Sequence, residues 1–123
     1  MGDIYLELTI ANIEDRQRQK ELAFLVDTGA TRAWIPKQVA KELGIKPIGA
    51  ILLELANGMV KKFPYGACWF ALNGEAVAGN VVIGPPDIEP LVGTHVLQDF
   101  RLVIDMEHHT ISRRRAMKAK YVS

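Results

Sequence analysis

One cysteine in 123 residues, Cys68, leaves no partner for an intrachain disulfide, which fits a reducing, cytoplasmic setting. No window approaches the roughly 18 consecutive apolar residues that a membrane span needs. Neither charge sign dominates: 15 Lys and Arg stand against 14 Asp and Glu, so there is no bulk electrostatic case for nucleic acid. The opening "MGDIYLELTI" has acids where a secretory leader would carry positive charge, and it fits the start of an independent small protein. Histidines are few. His108 and His109 are adjacent, and neighbours in a strand point to opposite faces, while His95 is distant, so we expect no metal site and no cofactor.

What is present is the composition of an ordinary globular chain, with 49% apolar and 24% charged residues and the length of one domain. The pattern is mostly strand. Residues 4–10, "IYLELTI", alternate, 11–20 turn polar as an exposed connection would, and 21–26, "ELAFLV", form a continuous apolar run that reads as a buried strand. One helix is signalled at about 36–43, "PKQVAKEL", with Pro36 at its first position, Val39, Ala40 and Leu43 on one face, and Gly44 as the stop. Asn57-Gly58 and Asn73-Gly74 each sit between extended runs and mark hairpins. "GPPDIEP" at 84–90 is a stiff loop, and "LVGTHVLQDF" suggests a strand, a glycine and a helical turn. "RLVID" and "TISRR", joined through "MEHH", form a last hairpin, and Cys68 in "GACWFAL" reads as a packing residue.

The chemistry concentrates at "FLVDTGAT". An ionised carboxylate closing an apolar strand is costly unless it is hydrogen-bonded or paired. Thr28 offers a hydroxyl, and Gly29 can turn the backbone so that its N–H points back at Asp27. Taken alone, "DTG" also suits an Asx-turn, or a phosphate loop of the actin-like nucleotide-binding kind.

Three segments in order narrow this: "FLVDTGAT", the hairpin "LELANGMVK" whose Asn57 lies 30 residues after Asp27, and "PLVGTHVLQDF". Together, over about 21–104, they resemble the retropepsin-like aspartic proteases. The resemblance implies a mainly β fold: a small closed barrel with a flap hairpin and one or two short helices. It implies a single domain over 1–123, with its core at about 21–104 and a C-terminal hairpin and basic tail at 105–123. Asp27 would be the catalytic carboxylate, Thr28 would bond across to a partner loop, and Gly29 would keep the turn. Ala30 and Thr31 would touch substrate. Asn57, Gly58 and Met59 would form the flap tip, offering backbone groups to an extended peptide bound as an added strand. Leu91, Val92 and Gly93 would pass behind the catalytic loop, with Gly93 allowing close approach. Trp34 and Ile35 are either pocket walls or core.

Peptide hydrolysis of the type this resemblance implies needs two carboxylates, one to take a proton from water and one to give a proton to the carbonyl oxygen. Only Asp27 lies in an Asp-Thr-Gly setting. Asp105 ends another apolar run, but no Thr-Gly follows. The expectation is therefore a homodimer with Asp27 of each subunit at the two-fold axis, acting on polypeptide, with no nucleic acid and no membrane involved. Two departures stand out. Where retroviral members usually carry an acid and an arginine that pair, this chain has Thr31 and Thr94, which keeps open a peptide-binding or dimerisation module with little or no proteolysis. "RRRAMKAK" at 113–120 reads as a solvated basic tail.

Overall fold

The computed structural model describes residues 3–114. Met1, Gly2 and the basic tail beyond Arg114 lie outside that range. Nine strands and two short helices are described: β1 Tyr5–Asn12, β2 Gln19–Val26, β3 Ala33–Pro36, α1 Lys37–Leu43, β4 Gly49–Glu54, β5 Val60–Leu72, β6 Glu75–Gly84, β7 Leu91–Val92, α2 Thr94–Asp99, β8 Leu102–Asp105 and β9 Thr110–Arg113.

The main sheet runs β1-β2-β7-β3-β6-β5-β4, and β1 also pairs with β5. The ring from β1 through β2, β7, β3, β6 and β5 therefore closes on itself as a small barrel, the mainly β class expected from the sequence. Closure depends on the length of β5. Its first half pairs with β4, from Val60 opposite Glu54 to Tyr65 opposite Gly49, and its second half reaches β1 at Cys68 to Ala71. Pro64 is tolerated within it because pairing with β6 starts only at Tyr65, so the missing N–H costs no ladder bond on that side.

Alternation along β1 drives Leu8 and Ile10 inward, where they meet Phe24, Ile35, Phe70, Val92 and Phe100, all with at most 1% exposure. Phe24 and Phe70 meet edge to face with ring centroids 6.4 Å apart. Cys68 is fully buried here, and burial pushes its thiol up to about 12. It packs as a small apolar side chain, as its sequence setting suggested.

Two expectations need amendment. Strand β2 is not buried on both faces: Phe24 and Val26 point into the core, while Ala23 is exposed and Leu25 only half-buried. An apolar run cannot by itself report how many faces are covered. Pro36 sits at the N-cap, still extended at φ −68° and ψ 152° as the last residue of β3, and the helix starts at Lys37. Val39, Ala40 and Leu43 form the buried face of α1, and Gly44 caps it in the left-handed region at φ 68°.

The two Asn-Gly turns differ. Asn73 and Gly74 both have positive φ (50° and 84°) and join β5 to β6 as a two-residue turn. At 55–59 only Gly58 is left-handed. The Gly58 N–H donates to Leu55 O, the Leu55 N–H to Met59 O, and Asn57 Oδ1 accepts from the Met59 N–H, which makes a longer tip. The β8–β9 hairpin is a separate small sheet, tied to the barrel by Glu75, which accepts both terminal nitrogens of Arg101 at 2.8 Å and is also contacted by Arg113.

Candidate active site

Strand β7 is the key to the site. It lies between β2 and β3, parallel to the first through Leu25–Leu91 and Val26–Val92 and antiparallel to the second through Trp34–Leu91. The chain from β2 to β3, residues 27–32, must therefore arch over the end of β7. The Asp27 N–H donates to Val92 O at 3.0 Å, and the Ala30 N–H closes the turn on Asp27 O at 3.1 Å.

Helix α2 holds the arch from the other side. The first N–H groups of a helix have no partner within it. Here Thr94 donates to Ala30 O at 2.9 Å and His95 to Thr31 O at 3.1 Å, so the loop carbonyls cap the helix. The approach leaves no room for a side chain at Gly93: an added Cβ would lie 2.4 Å from Ala30 O and 2.6 Å from the Thr31 carbonyl carbon. Thr31 and Thr94 thus sit where the loop and the helix are joined through backbone bonds.

Within this frame Asp27 is half-buried and faces a cleft of about 820 Å³. Its Oδ1 accepts the Gly29 N–H at 2.9 Å, which fixes the orientation of the carboxylate. No left-handed φ calls for glycine at position 29, but a Cβ there would stand 3.2 Å from that same oxygen, a tight contact. Thr28 and Gly29 are exposed on the outer rim of the arch, and Ala30 is half-buried.

Gly29, Ala30, Thr31 and Leu91 line the cleft beside Asp27. Asn57, Gly58 and Met59 lie at the exposed hairpin tip and are not among the lining residues, whereas Leu53, Leu55 and Ala56 of the same hairpin are. Val92 and Gly93 are buried behind the arch, and Ile35 belongs to the core. Trp34 is a wall residue, packed against Phe63 with ring centroids 4.8 Å apart and the planes 69° from parallel.

The sequence reading missed Arg32, Leu53, Lys61, Phe63, Pro85 and Ile88, all of which line the cleft. Some of these had a readable signal. Leu53 faces Lys61 across the β4–β5 ladder and Ile51 faces Phe63, so one face of the hairpin follows from period-two alternation once its register is fixed. Pro85 and Ile88 enter through the stiff 84–90 loop and had none. His108 Nδ1 lies 2.7 Å from Asp105 Oδ2 at the far hairpin, and that hydrogen bond holds the Asp105 carboxyl below its ordinary range. No cluster of potential metal ligands occurs among the described residues.

A family profile described as aspartyl protease matches residues 9–96. No curated protein matches the sequence. Solved structures similar to this one include the EIAV protease complexed with the inhibitor HBY-793, 14% identical with a TM-score of 0.64, covering 80% of this chain and 88% of that one. A retropepsin-like aspartic protease from Rickettsia conorii is 21% identical with a TM-score of 0.59, covering 85% and 77%. The Simian Foamy Virus (mac) protease is 21% identical with a TM-score of 0.55, covering 76% and 91%. Identities this low speak for a shared fold alone.

Proposed function

The chain belongs to the aspartyl protease family, and from that premise we propose that it is a peptidase whose active site forms when two copies place their Asp27 side chains together. The observation that carries this reading is the isolation of Asp27. Of the two carboxylates that line the cleft among the described residues, Asp27 and Glu54, only Asp27 stands on the arch. Glu54 also borders the cleft, but on the hairpin wall, at an exposed position of β4 whose alternation turns it away from the Leu53–Lys61–Phe63 face. A second acid on the floor has to come from a second chain, and a two-fold axis at the arch supplies it.

Two carboxylates about 3 Å apart cannot both ionise, so they share one proton; the aspartic proteases are the standard example of such a pair. The ionised Asp27 takes a proton from water, whose oxygen bonds to the scissile carbonyl carbon. The protonated Asp27 of the other subunit gives its proton to the carbonyl oxygen, leaving a neutral tetrahedral diol. Transfer of a proton to the amide nitrogen then lets the C–N bond break into acid and amine. No metal or covalent intermediate enters the sequence.

The arch contributes fixed geometry. The Gly29 N–H holds Oδ1 of each carboxylate, so little reorientation is needed as the reaction proceeds. Substrate would lie extended between the arch and the β4–β5 hairpin, with apolar side chains against Trp34, Phe63, Leu53 and Ile88. The absence of an acid–arginine pair at Thr31 and Thr94 favours a second reading, a dimeric peptide-binding module that cuts little. Hydrolysis of a denatured protein at mildly acid pH, compared between wild type and Asp27→Asn, separates the two. We expect cleavage by the first and none by the second. Equal rates would defeat the peptidase reading. The Asn side chain keeps an oxygen to accept the Gly29 N–H, so the two proteins should melt alike.

A further inference from the structure

A second concavity, of about 660 Å³, opens on the other side of Phe63. Its floor is apolar: Ala40 and Ile45 from α1 and the segment after it, Ile83 at the end of β6, and Phe63. Pro47, Pro64, Pro85 and Pro86 form the walls. Prolines carry no backbone N–H, so at these positions the walls offer an added strand carbonyl acceptors but no donors. Lys37, Lys41 and Lys46 complete the lining. All three are exposed, and Lys37 and Lys41 are one helical turn apart on the same face of α1. The acids nearest in sequence do not line the groove: Glu42 is bound to Lys20 at 2.8 Å, and Asp87 follows Pro86 outside it.

The frame is held in place before anything binds. Gln38 Nε2 donates to Pro86 O at 3.1 Å, which ties α1 to the 84–90 loop. The Ile48 N–H donates to Tyr65 O at 2.9 Å, and a Cβ on Gly66 would come within 2.7 Å of Lys46 O, so the 45–48 segment lies tightly on β5. Phe63 and Pro85 line both this groove and the Asp27 cleft. A chain leaving the cleft past Phe63 therefore enters the groove directly.

We propose that this groove is a second docking site for the polypeptide substrate, taking an apolar side chain flanked by Asp or Glu that lies outside the segment held at Asp27. Charge complementarity with three lysines and continuity with the cleft single out this occupant. The assignment rests on the peptidase reading for the word substrate, but its test reads binding rather than cleavage.

The probe is a fluorescein-labelled peptide, Asp-Glu-Leu-Phe-Glu-Asp, titrated into the full-length Asp27→Asn protein by fluorescence anisotropy. Its counterpart has Lys at every acidic position. We expect the acidic peptide to bind and the basic one not to. Reversing the three exposed lysines (Lys37→Glu, Lys41→Glu, Lys46→Glu) should weaken binding by about tenfold or more at low salt, with the difference shrinking as salt is raised. Amide shifts in a 15N spectrum should cluster at Ala40, Ile45, Lys46 and Ile83. Equal binding of both peptides, a loss under twofold on charge reversal, or shifts confined to Asp27, Thr31 and Leu53 would overturn the proposal. So would binding of dodecanoate in this groove where the peptide fails. Normal cleavage by wild type with no groove binding would sink this inference alone. Groove binding with no cleavage by wild type would sink the peptidase reading alone.

Discussion

Replacing Gly93 with alanine should damage this protein more than any other single methyl addition at a turn. The new Cβ would sit 2.4 Å from Ala30 O, 2.6 Å from the Thr31 carbonyl carbon and 2.7 Å from that of Ala30. All three are backbone atoms, so no side chain can swing aside. To reach ordinary contact the arch would have to retreat by roughly 1 Å. Overpacking of this kind costs about 1–3 kcal/mol. The retreat also stretches the Thr94 and His95 bonds to the loop carbonyls, each worth about 1 kcal/mol. A loss of about 3–5 kcal/mol follows, which for a domain of this size lowers Tm by roughly 10–20 °C. Gly74→Ala is the control. Nothing lies within 4 Å of its added methyl, and only its φ of 84° is unfavourable for alanine, at about 1–2 kcal/mol. Thermal unfolding followed by circular dichroism, with urea midpoints alongside, gives the comparison. If Gly93→Ala melts no lower than Gly74→Ala, the arch is not braced against β7 and α2 as described.

Cys68 should be inert in the native state: at pH 8 a thiol reagent should label it only at the rate of global unfolding, because the group is fully buried and its pKa is raised to about 12. Rapid labelling without denaturant would contradict its placement. Glu75→Gln should loosen the β8–β9 hairpin. The hydrogen bond from Arg101 holds the folded-state Glu75 carboxyl below its ordinary value, so its contribution is complete above the usual carboxylate range and is lost as pH falls through the lowered value. The stability gap between wild type and variant, read from urea midpoints, should be widest near neutral pH and close in acid. A gap that grows in acid would be the wrong sign.

Much of this was legible in the residues because it is local. Asn73-Gly74 specifies its own turn, Gly44 its helix stop, and the order of "FLVDTGAT", "LELANGMVK" and "PLVGTHVLQDF" points to a family. The parts that were not legible are set by distant partners. Whether Ala23 and Leu25 are covered depends on what packs against the outer face of β2, which an apolar run does not disclose. Asn57-Gly58 looks like Asn73-Gly74, yet the Leu55–Met59 bonds make the longer tip with a single left-handed residue. The wall of Trp34 and Phe63 and the proline-lined groove behind it exist only because β3, β5 and the 84–90 loop converge, and no short segment carries that information.

The central claim is that one carboxylate per chain is insufficient and that a second chain completes the site. Co-refolding equal amounts of wild-type and Asp27→Asn chains tests it most directly. If both Asp27 residues are required, random pairing leaves about one quarter of the activity of the same total amount of wild type. If each chain works alone, about one half remains, and the two-chain site is wrong.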